Sequence, residues 1–298
     1  MKQTRLSRGA FFTLLLIACM MGANHVAARL AFNHGVDVAT AVAMRSSITA
    51  IVVALLLLAS GVSLRIHLKH RRPLLLIGAL ITVQSLTLYS SVARLPVALA
   101  LLAFNTYPLW TAFWDWALYK RAPERAVLIA MPVLLFGLAL ALDVLGAASG
   151  LGAAGQWGRI GAGVGFALTA ATTFGLALVT MQHQASEVDG RVRTVTTLGM
   201  VGVITLIATS LQGGLHLPQT APGWWGLALL TFLYGTALTI MFVVLPKFGV
   251  VGGSPIMNVE PIFALVLAWL VLDQSVALMQ IAGGLLVVGT VMALGLRR

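Results

Sequence analysis

Charge is what this chain has least of. Of 298 residues only 9% are charged and just 8 are acidic, against 59% hydrophobic. A soluble domain carries about 25% charged residues, so an ordinary soluble fold is excluded. Cysteine is almost absent as well. The single Cys19 rules out an internal disulfide and any multi-cysteine metal site. It sits in "LIAC" after a basic start, which has the look of a lipoprotein cleavage box, but the same segment has a partner later in the chain and is read as a span. No Walker A lysine loop occurs. "GLGAAG", Gly150 to Gly155, fits a dinucleotide fingerprint only by letters, since no strand precedes it. The sequence therefore implies no cofactor and no metal.

What is present is apolar sequence in runs of about 20 residues, long enough to cross a bilayer. Ten spans can be drawn, roughly 10–32, 37–60, 73–92, 97–119, 126–145, 159–181, 194–213, 222–245, 253–272 and 277–296. The runs are continuous rather than alternating, so they are helices and not barrel strands. "GAGVG", Gly161 to Gly165, has the small-residue spacing of close helix packing.

The net charge of +11 does not point to nucleic acid, because the basic residues lie in the gaps between spans. Alternate gaps hold fifteen: Lys2, Arg5, Arg8; Arg65, Lys69, Arg71, Arg72; Lys120, Arg121, Arg125; Arg191, Arg193; Lys247; Arg297 and Arg298. The other gaps hold only Arg94 and Arg159, while Arg29 and Arg45 fall inside spans. By the positive-inside rule both termini are expected in the cytoplasm, as in a multi-pass protein of a bacterial-type inner membrane.

Two costly clusters break the apolar runs. "AFNTYPLW" (103–110) and "IMNVEPIF" (256–263) each place Asn, two residues, then Pro. Asn258 follows Asn105 by 153 residues, and Pro261 follows Pro108 by the same number. The shift carries the fourth span onto the ninth. Five spans is an odd number, so the copies cross in opposite directions. The expected architecture is an all-α inverted 5+5 repeat, residues 1–150 and 151–298, with a site near the midplane between the halves. Pro108 and Pro261 remove a backbone donor and kink the helix. Asn105 and Asn258 offer donors and acceptors in the same turn, either to their own backbone or to a shared cavity.

These residues resemble the drug/metabolite transporter superfamily in its EamA-type form. The resemblance is carried by the basic start, Arg45 in "AVAMRSSITA", "VALALLAFNTYPLWTAF", and "NVEPIFALVLAWLVLDQSVALMQIAGGLLVVGTVMAL". It implies ten helices, a central cavity lined by spans 1, 3, 4, 6, 8 and 9, and carriage of small metabolites, often export of amino acids.

Ionisable residues inside a membrane are functional candidates. Glu260 can receive a substrate ammonium or a proton. Arg45 can hold a carboxylate or tie down backbone carbonyls. Asn24 and His25 fall mid-span on the first helix. Gln84, Tyr107, Trp110 and Tyr234 lie at cavity depth and offer polar tips on flat apolar faces. Asp115, Arg29 and Asp143 lie nearer span ends, where headgroups are in reach. An enzyme needs a polar cluster at one interface, and a channel needs a continuous polar stripe; neither pattern appears. The expected function is secondary transport, with a small-molecule substrate and membrane lipid as partners, by a monomer or homodimer.

Overall fold

A computed structural model describes residues 8–61, 65–123, 125–241 and 258–296. Among them every regular element is a helix: α1 (Arg8–Asn33), α2 (Val38–Ala59), α3 (Leu68–Val92), α4 (Val97–Phe104), α5 (Tyr107–Tyr119), α6 (Arg125–Ala141), α7 (Gly152–Gln184), α8 (Gly190–Leu211), α9 (Ala221–Thr239), α10 (Glu260–Leu272) and α11 (Leu278–Leu296). With α4 and α5 taken as one interrupted span, the described helices make ten spans. Six of these are long and apolar enough to cross a membrane outright.

The packing repeats itself with the halves exchanged. α1 lies on α9 and α10; its counterpart α7 lies on α3 and on the α4–α5 span. The pairs α2 with α8 and α6 with α11 connect matching helices of the two halves. The two broken spans match in detail. α5 and α10 each run 13 residues, from Tyr107 and from Glu260, with proline in the second position. Each ends on a left-handed residue, Lys120 at φ 58° and Asp273 at φ 53°. All three features keep the 153-residue shift. Proline in a first turn costs no hydrogen bond that the helix would otherwise make, so each proline restarts a helix rather than bending one.

Bonds at the loops define two ends. At one, the Asp37 end, Asp37 caps α2 by accepting from Thr40 N, and His216 of the α8–α9 loop pairs with Asp37 at 2.8 Å. Gln219 N donates to His34 O, and Val97 N donates to the Gln274 side chain. At the other, the Glu187 end, Lys69 and His70 of α3 meet Glu187, and His183 of α7 meets Asp115 of α5 at 2.8 Å. A surface pocket of about 530 Å³ lies here, walled by Lys69, His70, Glu187 and Asp189.

Two charges expected near headgroups are used otherwise. Arg29 donates to the Val92 and Leu95 carbonyls at 2.7 and 3.3 Å, closing the end of α3. Asp143, with φ 50°, turns back on its own loop and accepts from the N–H groups of Ala148 and Ser149. In both cases the charged side chain binds backbone groups of the protein rather than headgroups.

Candidate functional site

Polar side chains gather where α1, α2, α3, α9 and α10 meet. The centre is Tyr89 of α3, only 1% exposed. Its hydroxyl accepts from Asn24 Nδ2 at 2.9 Å and from Arg45 Nη1 at 2.8 Å. Arg45 Nη2 donates to Ser85 Oγ at 3.2 Å, and that hydroxyl donates to Gln84 Oε1 at 3.3 Å. The Arg45 guanidinium is flanked by two rings, 3.9 Å from the Tyr234 centroid and 4.5 Å from that of Tyr89. Asn24, Arg45, Ser85 and Gln84 are all buried. With no water in a membrane interior, each such group has to find a partner within the protein.

Next to Asn24, His25 leads into a second group. Its Nε2 is 3.2 Å from Glu260 Oε1, and its ring lies 5.4 Å from the Tyr89 ring. Glu260 opens α10 and is partly exposed, while His25 is buried. Close backbone approach fixes the register. A Cβ on Gly22 would lie 3.0 Å from both Glu260 O and Ala264 N. α10 can therefore lie against α1 only where glycine stands, one turn before His25.

The interrupted fourth span supplies a third group. α4 ends at Phe104, and Asn105 and Thr106 follow with ψ of 0° and −6° before α5 begins. Thr106 Oγ1 donates to Ala103 O at 2.8 Å, satisfying one carbonyl freed by the break. Tyr107 OH donates to Asn258 Oδ1 at 3.4 Å, joining the two Asn-x-x-Pro segments across the halves. Phe104, Tyr107 and Phe174 form an aromatic wall, with centroids 5.1 to 5.6 Å apart. The break also divides tight packing from loose. All of Val97–Ala103 in α4 is buried, whereas α5 buries only Leu109.

The sequence-picked residues thus fall unevenly. Asn24, Arg45, Gln84 and Tyr234 share one network, His25 and Glu260 form a pair, and Tyr107 meets Asn258. Asn105 is buried at the helix break, and its side chain has no hydrogen-bond partner among the described residues. Trp110 is only half-buried and makes an edge contact with Phe113, away from the polar network. Tyr89, Ser85, Phe104 and Phe174 were missed. Lys247, the basic residue of the gap before the ninth span, lies outside the described residues.

Comparison with known proteins agrees with this architecture. The EamA-like transporter family matches twice, over residues 8–142 and 161–296. The chain belongs to that family. The two matches fall on the two halves that the packing relates. The protein is accordingly a multi-pass membrane protein of a transporter family, which implies a small-molecule substrate and contact with lipid. No curated protein matches the chain. A solved structure described only as "Crystal structure of protein" matches over 98% of this chain and 99% of its own, at 19% identity and a TM-score of 0.61. At that identity the likeness is one of fold.

Proposed function

We propose that this EamA-family protein exports amino acids, apolar or aromatic ones, by alternating access. The observation that carries the proposal is Glu260: a carboxylate amid apolar spans, partly exposed, and aimed by a buried histidine at 3.2 Å. One of its oxygens engages His25, and the second, which has no partner among the described residues, can accept from a substrate ammonium. The Phe104–Tyr107–Phe174 wall offers flat apolar surface to a side chain. Looser packing along α5 supports access from the Glu187 end. The charge split of the loops supports a cytoplasmic location for that end, in a bacterial-type inner membrane, and with it a pathway that accepts solute from inside the cell.

Losing a charge-assisted hydrogen bond removes about 1.5–3 kcal/mol of binding, or roughly 10- to 100-fold in affinity. Glu260→Gln keeps the shape and an acceptor for His25 but removes the charge. Cells overproducing the protein should tolerate toxic analogues of phenylalanine or methionine, and the Glu260→Gln variant should lose that tolerance at equal membrane abundance. Liposomes that carry a nucleobase or a sugar-linked nucleotide, but no amino acid, would transfer the assignment to another metabolite class.

A further inference from the structure

Arg45 is a buried cation without an anion among the described residues. Its residue is 3% exposed, and no described carboxylate lies within 4 Å of it. Glu260, the carboxylate of the adjoining group, is engaged by His25. An isolated charge is costly in a membrane interior, and here only neutral groups offset it: Tyr89, Ser85 and two ring faces. A guanidinium has five N–H donors. One Nη1 hydrogen goes to Tyr89 and one Nη2 hydrogen to Ser85, and Nε has no partner among the described residues. Nε–H, the second Nη1–H and the second Nη2–H remain, and Nε with Nη2 is the donor pair that grips a carboxylate side-on. One turn further along α2, the buried Thr49 hydroxyl also lacks a partner and lies beside Gly235 of α9. Buried polar atoms without partners, two of them on one helix face, mark a place where a polar group belongs.

Tyr234 decides access. It sits next to Gly235 on α9, is only half-buried, and its ring lies 3.9 Å from the guanidinium carbon. A ring face attracts a desolvated cation, but less strongly than a bidentate carboxylate does.

We propose that Arg45 is the subsite for the carboxylate of the transported solute, and that Tyr234 covers it when no solute is bound. The carboxylate displaces the ring, docks on Nε and Nη2, and neutralises a guanidinium that has no anion among the described residues. This rests on the amino-acid reading above and adds the group that anchors the acid end, leaving Glu260 to the amine.

Three probes separate the ends of the solute: L-phenylalanine, phenethylamine without the carboxylate, and 3-phenylpropionate without the amine. Each is measured by thermal protection of the purified protein, and as a competitor of L-phenylalanine uptake into proteoliposomes. Arg45→Gln should weaken L-phenylalanine and 3-phenylpropionate roughly 10- to 100-fold, the loss of one charge-assisted pair, and leave phenethylamine unchanged. Tyr234→Leu removes the covering ring and should tighten 3-phenylpropionate. Arg45→Lys keeps the charge without the fork and should fall between wild type and Arg45→Gln. The proposal is overturned if 3-phenylpropionate acts equally on wild type and Arg45→Gln. It is also overturned if Arg45→Gln and Arg45→Lys, correctly inserted, weaken all three probes alike, since that describes a structural arginine. Should Arg45→Gln fail to fold, the Tyr234→Leu result decides: no tightening sinks the proposal. If L-phenylalanine is neither carried nor protective, the amino-acid reading fails by itself. The Arg45 subsite then stands if 3-phenylpropionate protects wild type but not Arg45→Gln, and falls if it protects neither.

Discussion

Replacing Gly22 by alanine sets two opposed effects against each other, and the structure says which wins. Alanine in a helix interior is favoured over glycine by about 0.5–1 kcal/mol. At Gly22 the added methyl would stand 3.0 Å from Glu260 O, 3.0 Å from Ala264 N and 3.2 Å from Phe263 Cβ. Two of these are backbone atoms, which cannot swing aside as a side-chain tip can. Overpacking of this kind costs about 1–3 kcal/mol, more than the propensity gain. Gly22→Ala should therefore destabilise by about 1 kcal/mol and push the start of α10 away, stretching the His25–Glu260 pair. Gly165, inside α7, has nothing within 4 Å of its virtual Cβ and lies on an exposed face. Gly165→Ala should keep the propensity gain and stabilise by about 0.5–1 kcal/mol. The assay is the midpoint of thermal unfolding for both variants in one detergent, alongside transport in liposomes. The two midpoints should move in opposite directions, with transport impaired only in Gly22→Ala. If both variants become more stable and transport is unaffected, the close approach of α1 and α10 does not position the site.

Two further outcomes are expected. Asp143 is covered by its own loop, only 2% exposed. Burial there pushes its carboxyl up, but donors from Ala148, Ser149 and Ala147 outweigh it and hold the pKa below the ordinary carboxylate value. A carboxylate depressed in the folded state stabilises above its unfolded pKa, and that contribution is lost as pH falls through the folded value. Protection of the amides of 144–150, measured as exchange relative to the intrinsic rate at each pH, should fall below about pH 4, and Asp143→Asn, which tolerates the left-handed backbone, should show the low protection already at neutral pH; a pH-independent protection in wild type would refute this. For orientation, a reporter in 182–193 should stay inside the cell and one in 146–158 should lie outside, and an inside result for 146–158 would reverse the charge-based assignment.

The broken spans were legible because proline and asparagine act locally. The missing donor of Pro108 and the open carbonyls before it are properties of one turn, and a repeat at 153 residues makes the same turn visible twice. The polar network was half legible for a different reason. Asn24, His25, Arg45 and Glu260 each stood out as a costly residue in lipid, but sequence gives depth along a helix and not the direction a side chain takes around it. Tyr89 shows the gap. Three residues from the end of α3, it reads as an interfacial anchor, since tyrosines favour that level. The structure turns it inward, where its hydroxyl joins Asn24 to Arg45. Nothing on α3 itself requires that rotation; it shows only once α3 is packed on α7 and Tyr89 meets Asn24, His25 and Arg45 from distant parts of the chain. The His25–Glu260 pair has the same origin. Each residue is explicable alone, as a core histidine or as a carboxylate awaiting an ammonium. Their meeting depends on α1 and α10 lying close enough for Gly22 to touch the Glu260 carbonyl. A glycine one turn before a histidine is an ordinary pattern until the opposing helix is placed. The chemistry of the site was thus written in residue types, and its geometry in the small residues that let helices approach.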